Sequence, residues 1–483
     1  MKAAGENKQC RKPRYGDMFE VEVERFDQRG RAVGQGISRE LPQSGSWEVV
    51  MRGAVPGDRV LAEVIRRRKN QVEAHVRETL RASPSSTEPR CVHFGTCGGC
   101  SFQNLKYGAQ LEYKRANLET IFAAQGLLSE VQVEPVTACA VPWNYRNKME
   151  FTVSNRRWLE EAELEDGNSK LAVGLHVPGR FDKVLDVTTC EIQDESANRI
   201  LTSARRLALE QEIVPWDVRA HTGLLRHVVL RVAQSTGEIM VNLVTSEDAR
   251  ETVDQYAQAL IAAHPEIATL VQNVNTRPAD IAVGEWEHVL HGPGVIREEI
   301  DGLSFLISAA SFFQTNSRQA EVLFRMVREE AACTEEDHVF DVYCGTGSIT
   351  LNLARDAASV VGFEMVEEAV VDARRNAESN DISNVSFVAG DVSATIGVHL
   401  ENHPAPSLIV VDPPRAGVHP RVLRILAEIK ARRLIYVSCN PESAAVDLAG
   451  LAMYGYRVTR IQPVDLFPHT PHVETVLTLE LAQ

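Results

Sequence analysis

Cys439 stands in Ser438-Cys439-Asn440-Pro441, directly after the apolar run RLIYV. Such a run reads as a parallel strand, and α/β proteins bind their ligands at the carboxyl ends of such strands. A thiolate placed there can add to an electron-poor carbon and later depart, which is covalent catalysis. A proton must then be moved by a nearby base. Glu474, in PHVETVLTLEL beside the last predicted strand, is the best candidate, with His472 and His469 as neighbouring alternatives. Read singly, Cys439 would more often be a buried structural cysteine and Glu474 a surface glutamate.

Asp341-Val342-Tyr343-Cys344-Gly345-Thr346-Gly347-Ser348 follows an apolar strand and precedes the helical ITLNLARDA. Its glycines, Gly345 and Gly347, let the backbone turn tightly and approach a ligand. Glu364 ends the next strand, where an acid can accept hydrogen bonds from ribose hydroxyls. Asp391 ends the third strand, placed to face an adenine, and Asp412 ends the fourth. Nicotinamide and flavin sites share a glycine loop and a second-strand acid. The G-x-G here lacks the third glycine of a dinucleotide site and looks like the S-adenosylmethionine loop of class I methyltransferases. Asp412-Pro413-Pro414-Arg415-Ala416-Gly417 resembles the D/N-P-P-Y/F motif of amino-methyltransferases, but Arg415 replaces the aromatic residue that would stack on a base.

Nine cysteines occur without an export signal, so organised ones point to metal ligation or catalysis rather than disulfides. Cys91, Cys97 and Cys100 form C-x5-C-G-G-C, and three thiolates call for a fourth ligand in a cubane iron–sulfur cluster. Cys190 is the candidate. A four-thiolate zinc site is the runner-up. The C-x3-C-x2-C of radical enzymes does not match. Cys344 reads as non-catalytic, and Cys10, Cys139 and Cys333 as incidental.

These residues need elements to position them. Gly16 to Arg77 alternates apolar and charged positions with period two and predicts a small five-stranded OB-type barrel. GRAVGQGI supplies glycines for turns or bulges, and LPQSGS and AVPGD supply turns. Residues 82–90 read as a Pro/Ser linker. Helices are expected over Leu105–Ala124, Ser317–Ala332, Val366–Asn380 and Pro420–Ala431. Strands dominate 130–300, with the acidic LEEAELEDGNSK as a solvated hairpin loop. From about Asp337, short apolar runs ending in Gly, Asp, Pro or Cys alternate with helices, as in a parallel α/β sheet. The expected organisation is α/β multidomain: a barrel over 12–82, a central mixed α+β domain over 83–310, and a Rossmann-like domain over 311–483. Residues 102–130 are expected to pack with the last of these.

The net charge of −15 argues at first against a nucleic-acid partner. Residues 1–85 carry +5, however, and the remainder −20. A local basic surface suffices to bind phosphate, and Arg66, Arg67, Arg68 and Lys69 offer one, with a solvated strand end as the plainer reading. The polar, basic start lacks an apolar signal segment. No apolar run approaches the roughly 20 residues that span a bilayer. A soluble, cytoplasmic protein is expected.

Taken together, C-x5-C-G-G-C, S-F-F-Q-T-N, D-V-Y-C-G-T-G, D-P-P-R-A-G, S-C-N-P and the terminal V-E-T are similar to the bacterial RNA uracil-5-methyltransferases, particularly their 23S rRNA branch. The barrel resembles the TRAM domain, an RNA-binding module. The resemblance implies an S-adenosylmethionine-dependent enzyme that makes 5-methyluridine in 23S rRNA, with tRNA as the rival substrate and a non-catalytic RNA-binding protein as the rival class. It implies Cys439 as nucleophile toward uracil C6 and Glu474 as the base that removes the C5 proton. It places cofactor contacts at Gln314, Tyr343, Glu364 and Asp412, with Asp391 beside them, and a [4Fe-4S] cluster on Cys91, Cys97, Cys100 and Cys190. Phe312 or Phe313 would pack against a flipped uridine. A monomer without membrane partners is expected. Ser348 departs from the family pattern, where Asn is common.

Overall fold

The structure, a computed structural model, describes residues 12–39, 45–69, 71–159, 171–279 and 281–482. Cys10, most of LPQSGS and residues 160–170 of the expected acidic loop lie outside them. The chain divides into two compact units, Met1–Glu112 with Pro468–Pro471, and Tyr113–Phe467 with His472–Gln483.

The first unit holds a closed barrel of β1 (Met18–Phe26), β2 (Ala32–Ser38), β3 (Ser46–Arg52), β4 (Arg59–Arg68) and β5 (Gln71–Arg81), in the order β1-β2-β3-β5-β4. The alternation works as expected: Phe19, Val21 and Val23 fill the interior while Glu22 and Glu24 face out. Gly34 is needed where β1 bulges between Val23 and Arg25, because a Cβ there would lie 2.0 Å from the Glu22 carbonyl. The basic run ends β4, where Arg66 and Arg68 both reach Glu73.

The second unit contains two sheets and the rest of α1 (Tyr107–Ala124). The larger sheet uses β6 (Lys148–Ser154), β7 (Arg157–Trp158), β8 (Ala172–His176), β9 (Val184–Asp186), β10 (Leu225–Val232), β11 (Ile239–Thr245), β12 (Ile267–Val274) and β13 (Trp286–His291). Their order is β13-β12-β11-β10-β6-β8-β9-β7. Helices α2 (Glu195–Glu210) and α3 (Arg250–Ala263) pack beside it, Tyr256 donating to the Ala204 carbonyl at 2.8 Å. A separate hairpin, β14 (Val295–Ile300) and β15 (Leu303–Ser308), follows.

The second sheet is built from β16 (His338–Val342), β17 (Ser359–Glu364), β18 (Val385–Ala389), β19 (Leu408–Val411), β20 (Arg433–Ser438), β21 (Tyr456–Val464) and β22 (Glu474–Leu481), in the order β18-β17-β16-β19-β20-β22-β21. Its strands are apolar on both faces because both are covered. Val339, Val410 and Val437 join one core with Phe324 of α4 (Ser317–Ala331), Leu351 of α5 (Ser348–Leu353) and Ala373 of α6 (Glu367–Ser379). Phe340, Ile409 and Tyr436 join the other with Ile396 of α7 (Val392–Asn402), Leu426 of α8 (Pro420–Ile429), Leu448 of α9 (Pro441–Ala452), and Leu118 and Phe122 of α1. Strand order reverses between β16 and β19, which opens a crevice at their carboxyl ends. Among the described residues, no helix is long and apolar enough to cross a membrane.

Candidate active site

Strand register brings Cys439 and Glu474 together. β22 runs antiparallel to β20, with Thr475 opposite Ser438. One step further, Cys439 leaves β20 where Glu474 enters β22. Glu474 is 4% exposed, whereas Cys439 is half-buried. The loop is braced: Ser438 Oγ donates to the Asn440 carbonyl at 2.9 Å, and Asn440 caps α9 through Glu442 N–H. Asn440 Nδ2 also donates to the Arg415 carbonyl at 2.7 Å, tying S-C-N-P to D-P-P-R-A-G. The spacing of the two motifs does not reveal this tie, since in sequence Arg415 is only a departure from an aromatic residue.

The electrostatics follow from burial among like charges. Burial, and then Asp412, pushes Glu474 up to about 8, with the Arg415 cation opposing. Burial, Glu474 and Asp412 push the Cys439 thiol up to about 11, again against Arg415. Asp412 itself is raised to about 7 by burial and by Asp341. Arg415 therefore lowers the cost of forming both a thiolate and a carboxylate here. His472 is held below its usual pKa by desolvation and by Arg415, Lys114 and Arg146. His469 belongs to the first unit and is spent on structure. Its carbonyl accepts from the Ser101 and Phe102 N–H groups, and its N–H donates to Gln110 Oε1 at 2.9 Å.

The glycine loop leaves β16 at the crevice. Tyr343 has φ 66°, a left-handed conformation uncommon outside glycine, fixed by its N–H on the Phe363 carbonyl at 2.9 Å. Gly347 also has positive φ (83°), and a Cβ there would press on Ala373 and the Phe387 ring at 3.2 Å. At Gly345 a Cβ would meet nothing within 4 Å. The Gly345 N–H donates to Glu364 Oε2 at 3.0 Å, while Glu364 Oε1 accepts from Met365 and Val366 N–H. A carboxylate offers about four acceptor sites, so one remains for a hydroxyl. Asp341 is fully buried; Thr350 donates to its Oδ2 at 2.6 Å, but Oδ1 has no partner. Burial raises its pKa to about 7.

The other expected residues separate into distinct positions. Asp391 caps α7, accepting from Ser393 N–H at 2.8 Å. Half-buried Gln314 accepts at its carbonyl from Asn147 Nδ2 at 2.8 Å. Phe313 is buried against Phe305, but Phe312 is 70% exposed and open to stacking. Cys344 is buried, its thiol raised well above the usual value by desolvation. Ser348 opens α5.

Cys91, Cys97 and Cys100 are half-buried in the first unit, and Cys190 is buried in the second. Asn198 holds the Cys190 backbone on both sides, at 2.8 and 3.1 Å. Among the described residues, no group of three or more His, Cys, Asp or Glu is arranged to hold a metal ion. The arrangement therefore gives no support to the four-cysteine cluster, and no chemistry below is routed through one.

Comparison with known proteins agrees with the crevice. The tRNA (Uracil-5-)-methyltransferase family model matches residues 299–482. An uncharacterised RNA methyltransferase of Chlorobaculum tepidum is 40% identical over 477 residues, covering 97% of this chain and 98% of that protein. One of Bacteroides thetaiotaomicron is 39% identical over 434 residues, 88% of this chain and 95% of that one. The Pyrococcus abyssi tRNA (uracil-54, C5)-methyltransferase, solved with S-adenosyl-L-homocysteine, is 29% identical with a TM-score of 0.74, covering 95% of this chain and 99% of that one. The chain thus belongs to the RNA methyltransferase family of these relatives and is an S-adenosylmethionine-dependent RNA methyltransferase, with residues 299–482 similar to the tRNA (Uracil-5-)-methyltransferases.

Proposed function

We propose that the chain methylates C5 of a uridine, in 23S rRNA, through a covalent bond between Cys439 and C6 of the base. The observation that carries this reading is the β20–β22 register, which sets a thiol beside a buried carboxyl at the mouth of the cofactor crevice. Uracil C5 is a poor nucleophile. The Cys439 thiolate forms an S–C6 bond and pushes the ring electrons toward C5. S-adenosylmethionine, when bound, supplies an electrophilic methyl group on a cationic sulfur. The Glu474 carboxylate takes the remaining C5 proton. The S–C6 bond then breaks with its electron pair returning to sulfur, and the C5–C6 double bond is restored. Arg415 stabilises the anionic forms of both groups. Phe312, exposed beside the Gln314 loop, offers a face for the flipped base. The barrel serves as a TRAM-type RNA-binding module.

A tRNA substrate is the second reading. The Pyrococcus abyssi enzyme is a tRNA (uracil-54, C5)-methyltransferase and covers 95% of this chain, which supports that reading. The cluster rests on its motif alone. Iron and sulfide analysis of anaerobically prepared protein tests it: about four irons per chain supports it and none removes it.

The test of function incubates the protein with unmodified 23S rRNA and tRNA transcripts and labelled S-adenosylmethionine, then looks for 5-methyluridine and for an adduct with 5-fluorouridine RNA. Methylated rRNA, with an adduct lost in Cys439→Ala, is expected. Methylation of tRNA alone overturns the substrate, and labelling of neither overturns the uracil chemistry.

A further inference from the structure

Three cations converge on the β6–β10 end of the larger sheet. Antiparallel register sets Lys148 of β6 directly opposite Arg231 of β10. Like charges in that relation destabilise a sheet. Arg146 lies two residues before Lys148 and donates from Nε to its carbonyl at 3.0 Å. Glu150 answers part of this charge, its Oε1 lying 2.7 Å from Lys148 Nζ. One carboxylate among three cations leaves the cluster positive. The excess is felt: burial first, then Arg231, holds the Lys148 ammonium below its usual pKa.

The cluster is fastened to the Phe312–Gln314 loop. Arg231 is 4% exposed, and its Nη2 donates to the Ser311 carbonyl at 2.8 Å. Asn147, between Arg146 and Lys148, donates from its N–H to the Thr315 carbonyl at 2.8 Å and from Nδ2 to Ser317 Oγ at 2.7 Å. Arg146 also acts on His472, two residues from Glu474. A purely structural role would be filled more cheaply by apolar side chains, which avoid desolvating charge. An excess of cations beside a reaction site instead suits an anionic ligand.

We propose that Arg146 and Lys148 bind RNA backbone phosphates flanking the target nucleotide, with Arg231 as a positioning residue that fixes the Ser311 loop and adds to the field. The inference rests on the reading of the chain as an RNA methyltransferase. Lys148 exchanges its Glu150 partner for phosphate when RNA enters, and Arg146 brings the forked donor geometry that suits phosphate. Phosphate contacts of this kind carry no sequence preference.

The test measures binding of unmodified 23S rRNA and tRNA transcripts between about 50 and 200 mM salt for the full-length protein, Arg146→Gln, Lys148→Gln and Lys148→Arg. S-adenosyl-L-homocysteine affinity reports on folding of each variant. Each glutamine variant is expected to flatten the slope of log K against log salt by roughly 0.7 to 0.9. The KM for RNA should rise by more than kcat falls, and Lys148→Arg should restore the slope. Unchanged slopes in both glutamine variants, with cofactor affinity intact, overturn the inference. If Lys148→Arg fails to recover the slope lost in Lys148→Gln, Lys148 is not a phosphate contact. Wild-type protein that binds RNA but never methylates it overturns the functional reading and leaves this site standing. Wild-type protein that binds neither transcript overturns both.

Discussion

The carboxyl ends of the smaller sheet and the Lys148–Arg231 end of the larger one carry opposite charge in excess. In the first, burial, and behind it neighbouring carboxylates, raises Asp341 and Asp412 to about 7 and Glu474 to about 8, so that negative charge develops there as pH passes neutrality. In the second, cations face one another across adjacent strands. The pair Lys114–Asp465 contrasts with both. Each partner is fully buried, they meet at 2.5 Å, and Lys114 Nζ also donates to the Phe467 carbonyl. Charge that is balanced holds the fold. Charge left in excess marks where a ligand of opposite sign belongs, and a chain of net charge −15 provides for both a cationic cofactor and an anionic polymer.

That contrast can be broken in four places. The largest effect is expected at the thiol: Cys439→Ala should lower methyl transfer by at least about 10⁴-fold while leaving S-adenosyl-L-homocysteine affinity in place. Residual turnover near wild type would remove the cysteine from the chemistry. Next, Lys114→Met strands a buried carboxylate and should cost about 3–5 kcal/mol in urea unfolding. A small loss there would mean that balanced and unbalanced charge are not distinguished by this fold. Third comes pH. On the proposed mechanism Glu474 acts ionised, and its pKa is raised, so kcat/KM should be low at neutral pH and climb through about 8. The Asp412 charge contributes to that rise, so Asp412→Asn should move the climb to lower pH as well as slowing the reaction. A shift to higher pH would reverse the assignment. Smallest is Arg66→Gln on the barrel, an exposed partner of Glu73, which should change stability by less than about 0.5 kcal/mol.

The elements were legible where periodicity is local. β1 alternates inward and outward as its residues foretell, and α4 spans Ser317–Ala331 against an expected Ser317–Ala332. The glycine loop, Glu364 and Cys439 were legible because motif and strand end coincide. What was not legible depends on register between distant segments. Nothing near Glu474 announces that β22 inserts beside β20, and nothing near Lys148 announces Arg231, more than eighty residues away. The run at Arg66 reads as a basic surface in sequence, and the β4–β5 register brings Glu73 to two of its four cations, Arg66 and Arg68. The exposed Phe312 and buried Phe313 were separated only by the core around Phe305.

The insertion of β22 between β20 and β21 also sets an order of assembly. During synthesis β21 is made before the strand that joins it to β20, with only residues 133–137 to meet it, where Glu134 N–H donates to the Ile461 carbonyl at 3.0 Å and Thr137 N–H to the Pro463 carbonyl at 2.9 Å. At ordinary elongation rates of about 5–20 residues per second, an open edge at β20 persists for seconds. The glycine loop and Cys439 are already in place during that interval, but Glu474 is not. A chain interrupted there holds a thiol and a cofactor crevice without their carboxyl, so completion of the sheet and completion of the site are a single event.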